Sequence, residues 1–407
     1  MISTVLNFLL FGIILLSYYL KKKRVDVPFM LILLYAIIAL MGVFFFPDFS
    51  LNRQIELWPF IFLALTCYLY FKPIIKAKGV YNYSSDVKIS TGLELMFVLY
   101  ILCAIIKIGG DFTFVKNAIV GGDWLMMKAD LYNGLSIGNR NGIIAFLANL
   151  YVSVFMHAML IYSMYTFTKE DISILKSVFL LLIALTPYIM ECILYVYRGG
   201  LLTISYLTLM IFLLYYKKMV SRKRRTLIIG LSIVASLILI LTLAISLSRF
   251  GESDAGESIV SYLGQSMLVF NAGIATPISS YANGRYFFLN FLGLNKSDVW
   301  IDSRYNISTS DGSALNTFIG CSYVDFGPVL TIIIAIVISC LLSQLFKRRS
   351  VVFADLYLFA FYLDFLILGV FHCTEGFALR IFMATALYVV LRFMGRIKFN
   401  SYKILIM

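Results

Sequence analysis

Residues 198–225 read RGGLLTISYLTLMIFLLYYKKMVSRKRR. An arginine and two glycines open the stretch, an apolar run follows, and six basic residues close it. An apolar run of this kind suits a bilayer, whose hydrocarbon core takes about 20 residues of α-helix. The closing Lys and Arg then mark the cytoplasmic side, where basic residues beside a span are retained. The same pattern repeats outward along all 407 residues. Apolar runs fall at 4–20, 28–46, 57–71, 89–108, 142–166, 178–197, 199–216, 226–247, 327–346, 351–371 and 381–397. They are continuously apolar rather than alternating, which points to helices and away from a barrel. The third run is short, and the pair around Arg198 is also open to reading as a re-entrant hairpin. A chain that is 61% hydrophobic and 14% charged excludes disorder, a disulfide-rich secreted module and an ordinary cytosolic enzyme. The fold class expected is an all-α polytopic membrane protein of about 11 transmembrane helices, one integral-membrane domain over residues 1–407.

The net charge of +13 would suggest nucleic acid in a soluble protein, but its distribution argues otherwise. Basic clusters follow the first run (Lys21 to Arg24), the third (Lys72, Lys76, Lys78, Lys88) and the fifth (Lys169, Lys176). Others follow the seventh (Lys217 to Arg225), the ninth (Lys347 to Arg349) and the eleventh (Arg392, Arg396, Lys398, Lys403). Together they hold 23 of the 34 basic residues, and all follow odd-numbered runs. The expected topology has the N-terminus outside and the C-terminus in the cytoplasm, with no nucleic-acid partner. The first run lacks a preceding basic region and a small-residue cleavage site, so it reads as a retained span. The other eleven basic residues fall in or near outer segments and are mostly Arg beyond the sixth run. Arg is the permanently charged, fork-shaped donor that suits phosphate.

Two long outer segments stand out. Residues 109–141 carry GGDF and GGDW and suggest a pair of short interfacial helices. Residues 248–326 form the main outer loop, and loops of that length usually serve a function. Inner loops are too short for a soluble catalytic domain, so chemistry is expected at the outer face or within the bundle. Cys321 and Cys373 both fall near that face, where a disulfide and two thiols are both open readings. With two histidines and no clustered cysteines, neither a metal nor a cofactor is expected.

Four outer constellations could carry chemistry. Arg198, Gly199 and Gly200 suggest a tight turn at a helix start, where backbone amides and an arginine would hold a diphosphate. The competing reading is an arginine reaching into headgroups. Arg249 with Glu252 ends the eighth run, as a second anion contact or an interfacial flank. Asp325 precedes Gly327-Pro328 at the ninth run, as a helix cap or as a general base. His372, Glu375 and Arg380 lie within nine residues between the last two runs, as an acid–base and phosphate site or a solvated turn. Arg285 and Arg304 add outer cations. Within spans, Glu191 lies seven residues before Arg198, so a continuous helix would put both on one face. Asp364 sits mid-span, where an interhelical hydrogen bond is the expected role.

The RGGLLT at residues 198–203, with the loop ending N-T-F-I-G-x-x-Y-V-D-F-G at residues 316–327, resembles the bacterial Wzy-type polysaccharide polymerases. These are the O-antigen, capsule and exopolysaccharide repeat-unit polymerases. The resemblance implies a GT-C-like, lipid-carrier-dependent glycosyltransferase of the bacterial cytoplasmic membrane, with its active site facing outside. It implies that undecaprenyl-diphosphate-linked oligosaccharides are both donor and acceptor and that no cofactor is needed; a chain-length regulator is a candidate partner that the sequence does not disclose. On that pattern Arg198 binds diphosphate and Asp325 occupies the loop-end position. Arg249, Arg285, Arg304 and Arg380 join as diphosphate contacts from position alone. His372 and Glu252 join as catalytic candidates, and Glu191 and Glu375 as supporting ones. A ligase using the same donor and a lipid-glycan transporter are the alternatives.

Overall fold

A computed structural model describes residues 1–49, 52–121, 124, 127, 142–250, 255–276, 281–293, 317–371 and 377–397. The described residues are helical throughout, with no strand. Among the described residues, nine helices are long and apolar enough to cross a membrane: α1 (Ile2–Lys22), α2 (Val27–Phe45), α3 (Trp58–Ile75), α5 (Thr91–Gly121), α6 (Ile143–Thr166), α7 (Ile174–Leu194), α8 (Arg198–Tyr215), α9 (Ser221–Phe250) and α12 (Phe318–Lys347). Shorter elements are α4 (Lys78–Tyr83), α10 (Ala255–Leu268) with a π-helical continuation at Val269–Ala275, and α11 (Leu289–Leu292). The tenth and eleventh predicted runs are helical too, as α13 (Phe353–Gly369) and α14 (Phe377–Met394). Large apolar side chains stand exposed along the spans, such as Ile13, Leu65, Ile233 and Leu237. A hydrocarbon solvent makes that exposure favourable, and the chain is a multi-pass membrane protein.

Two segments differ from expectation. Residues 109–121 are not separate interfacial helices but the last turns of α5. The 248–326 segment is largely structured where described, through α10, the π-helix, α11 and the start of α12.

The chain forms two compact units. The first contains Met1–Lys78, Gly256–Lys347 and Phe365–Met383. Its α1 and α2 pack antiparallel, and α3 packs on both and on α12. Lys23, in the left-handed region, ends α1, and the Asp26 carboxylate caps α2 by accepting from the Phe29 amide at 3.3 Å. The core is aromatic: Tyr35 meets Phe71 edge-on, and Tyr70 meets Phe318 likewise. The Tyr35 hydroxyl, inside this apolar core, donates to the Leu366 carbonyl at 2.8 Å.

Asn271 ties the chain before α3 to the π-helix. Its Nδ2 donates to the Glu56 carbonyl at 2.7 Å, and its Oδ1 accepts from the Glu56 amide at 3.0 Å. The side-chain amide thus stands in for a peptide partner.

The second unit contains Gly79–Ala255, Arg348–Asp364 and Ala384–Met407. Helices α5, α6 and α7 pack mutually, α8 joins α6 and α7, and α9 lies on α8. Phe97 stacks on Tyr162 with ring centroids 3.8 Å apart, and the Tyr100 hydroxyl donates to the Ala184 carbonyl. Lys223 is buried, and its ammonium donates to the carbonyl of Thr166, the last residue of α6, and to those of Lys169 and Ile172 in the connection that follows. This cation satisfies carbonyls at and just beyond a helix end, at the negative end of its dipole.

Asn271→Leu should leave both Glu56 backbone groups without this partner. The expected cost is about 1–3 kcal/mol, read as a lowered Tm of the detergent-solubilised chain.

Candidate functional site

In the second unit the hairpin leading to Arg198 is built differently from its sequence reading. α7 ends at Leu194, and the amides of Tyr195, Val196 and Tyr197 turn back onto the carbonyls of Glu191, Ile193 and Cys192. The turn residue is Val196, at φ 49°. A β-branched side chain there costs about 1–3 kcal/mol. Val196 is buried in an apolar cluster with Val115, Ala118, Leu194, Leu201 and Ile245, whose packing offsets the strain. Arg198 starts α8 and is 8% exposed.

Two readings are corrected here. Gly199 and Gly200 do not form the turn but lie in the first turn of α8. Gly200 is small because a Cβ would stand 2.5 Å from Tyr197 Cδ1 and 2.6 Å from Cys192 Sγ. Glu191 and Arg198 belong to separate helices, so their spacing does not place them on one helix face.

Glu191 instead meets Lys107 of α5, Oε2 to Nζ at 3.1 Å. Lys107 also lies 3.5 Å from Asp111 one turn later, and its ammonium donates to Asn149 Oδ1 of α6. Lys107 and Asp111 are buried, whereas Glu191 keeps about a third of its side chain exposed. One cation therefore joins α5, α6 and α7. Elsewhere in this unit His157 Nε2 lies 3.1 Å from Asp364 Oδ2, near enough for an ion pair when protonated though not aligned as a hydrogen bond. His157 is the partner that Asp364 lacked in the sequence.

In the first unit Asp325 is 1% exposed. Its Oδ1 accepts from the Tyr286 amide at 3.0 Å and its Oδ2 from the Phe287 amide at 2.6 Å. The Ala282 amide donates to the Val324 carbonyl at 2.9 Å on the same segment. The turn at residues 283–288 is thus clamped onto α12, and Arg285 projects from it exposed. α12 breaks just beyond, at Gly327, with φ 71° and ψ 177°. A Cβ at Gly327 would stand 3.0 Å from the Tyr281 ring, so this backbone suits glycine twice over. Tyr281 also packs edge-on to Tyr323, which meets Phe62 and Phe270. Tyr281 and Phe288, in the same segment as Arg285, remain exposed.

Arg380 is exposed in the first turns of α14. Arg249 lies near the end of α9, with its side chain outside the described residues. Glu252, Arg304, His372, Cys373 and Glu375 lie outside them altogether, and Cys321 is buried. No group of three or more metal-ligating side chains occurs among the described residues. The sequence reading missed Asp111 and Asn149 as partners of Lys107, and Tyr281 against Gly327 and Tyr323. Only the Lys107–Asp111 spacing of four was visible as a helix pair.

Lys107→Met should leave two carboxylates without their cation and destabilise the chain by about 3–5 kcal/mol, read as a lowered Tm in detergent. Adding Asp111→Asn and Glu191→Gln should recover most of that loss; a Tm left at the single-variant level would contradict the pairing. The chain matches no protein-family model, no curated protein and no solved structure in the comparisons made.

Proposed function

We propose that the chain is a lipid-carrier-dependent glycosyltransferase that joins oligosaccharide repeat units carried on a polyprenyl diphosphate. The observation that carries this reading is the clamped turn: the Asp325 carboxylate holds the amides of Tyr286 and Phe287, and the short segment 281–288 so held carries an exposed Arg285 together with exposed Tyr281 and Phe288. A guanidinium suits a diphosphate, and aromatic faces suit the apolar faces of sugar rings. Asp325 belongs to the loop-end motif on which the polymerase resemblance rests. The reading is also supported by Arg198 opening α8, where helix amides add partial positive charge.

In this proposal an acceptor hydroxyl attacks the anomeric carbon of the donor. The bond from that carbon to the diphosphate oxygen breaks, and the lipid diphosphate leaves with the bonding pair. Arginine stabilises the charge that develops on it. The hydroxyl proton passes to a base drawn from His372 and Glu252. Asp325 is a positioning residue, since its oxygens accept two backbone amides. Single displacement inverts the anomeric centre. The site faces outside in a bacterial cytoplasmic membrane, with the N-terminus outside and the C-terminus in the cytoplasm, which the basic clusters favour.

A transport reading has one observation in its favour. Lys107, Asp111, Glu191 and His157 lie on helices long and apolar enough to cross a membrane, and Asp364 of α13 lies against His157; ionisable groups on such helices often serve ion pathways. Polymer made from lipid-linked repeat units by the purified chain in detergent, without a sealed compartment, excludes pure transport.

Arg285→Ala and Arg198→Ala should each lower the rate of that polymerisation by about 10- to 100-fold, the scale of a lost charge-assisted hydrogen bond. Full activity in both variants would overturn the diphosphate assignment. Asp325→Ala should raise KM through a loosened turn while the chain still folds, and Asp325→Asn, which keeps one acceptor oxygen, should lie between it and the wild type.

A further inference from the structure

The first unit contains a groove of about 730 Å³ that runs between α1 and α3, its mouth at the ends of α3 and α12 opposite Asp325. Its walls are apolar, with Leu10, Ile13, Ile61 and Leu65 among them. Ile13 and Leu65 are 63% and 52% exposed, so no protein side chain fills the space over them. Its rim is cationic: Lys21 and Lys22 come from the last turn of α1, Lys76 and Lys78 from beyond α3, and Lys347 from the end of α12. Among the described residues no carboxylate lines it. The nearest acid in sequence to the α1 lysines, Asp26, already pairs with Arg24 at 2.5 Å and accepts from the Tyr18 hydroxyl at 2.9 Å.

The geometry points to a binding site for an anionic phospholipid, with an acyl chain in the α1–α3 groove and its headgroup phosphate among the five lysines. Lysines at helix ends are expected beside a membrane in any case, both as topology signals and as partners of terminal carbonyls. Those roles do not require lysines from three separate chain segments to meet at the mouth of one apolar groove. The volume lies within the range of small-molecule and lipid sites, and the charge is complementary to phosphate with no acid in opposition. A soluble anion would use the rim but would leave the apolar walls exposed to water. A zwitterionic lipid would fill the walls but bring a choline cation to the lysines. An anionic phospholipid satisfies both. This inference does not depend on the proposed enzymatic reaction.

The test uses the full chain, delipidated in mild detergent and titrated with phosphatidylglycerol, cardiolipin or phosphatidylcholine, with retained lipid counted by native mass spectrometry. Either anionic lipid should bind at least tenfold more tightly than phosphatidylcholine, and added salt should narrow that gap. Lys21→Gln/Lys22→Gln/Lys76→Gln should abolish the preference, whereas the same three positions changed to Arg should keep it. Arg222→Gln/Arg225→Gln, which removes exposed charge outside the groove, should leave it unchanged. Leu65→Trp should obstruct the groove and weaken the anionic lipids with the lysines intact. Equal binding of phosphatidylcholine would overturn the inference. So would an equal loss in the Arg222/Arg225 variant, which would mean diffuse attraction, or full displacement of the lipid by inorganic phosphate, which would mean a soluble-anion site. The Arg variant separates loss of charge from misfolding, and Tm of each variant checks it.

Discussion

In hydrocarbon, a buried polar group has no water to turn to and must find its partner within the protein. Most of what is distinctive in this molecule follows from that constraint. It makes the spans helical, because a helix satisfies its backbone internally. It also governs where helices stop. Lys223 supplies donors to the last carbonyl of α6 and to two carbonyls of the connection after it, and Asn271 serves both backbone groups of Glu56. Asp325 performs the complementary task for two amides of an irregular turn. Each of these side chains does locally what a neighbouring peptide does within a helix.

The same constraint concentrates charge into partnered groups. Lys107 answers two carboxylates and an asparagine from three helices, and His157 lies against Asp364. A buried ion pair contributes little net stability compared with apolar packing, but removing one member is costly. Such groups therefore fix the register between helices more than they add stability. Exposed charge is organised differently. Arg285 is held out from a turn by its neighbours' backbone, and five lysines gather at the mouth of an apolar groove. The first unit thus carries anion-attracting groups at both ends, on opposite ends of the same two helices.

The membrane class and the positions of the helices were legible in residue order. Hydropathy is local, so eleven apolar runs correspond to helices in the structure. Arg198 and Asp325 stood out in the sequence as motif residues, but the local geometry around both was not legible there. The RGG at residues 198–200 suggests a glycine turn, yet the left-handed residue is Val196. Valine is tolerated there because its side chain enters an apolar cluster assembled from α5, α7, α8 and α9, which no local propensity can report. The helix-face reading of Glu191 and Arg198 failed for the same reason, since it assumed a helix that ends three residues earlier.

The sequence by itself determined that this chain lies in a membrane, roughly where its helices run and how its basic residues are distributed. Those properties depend on near neighbours and on transfer between water and lipid, which a linear pattern records. Tertiary structure alone decided the partners: Lys107 with Glu191, His157 with Asp364, Asp325 with the amides 39 and 38 residues before it, and lysines of α1, of the segment after α3 and of α12 around one groove. Pairing energies fall off over a few ångströms, while the partners stand tens to hundreds of residues apart in the chain. Only packing brings them within that range.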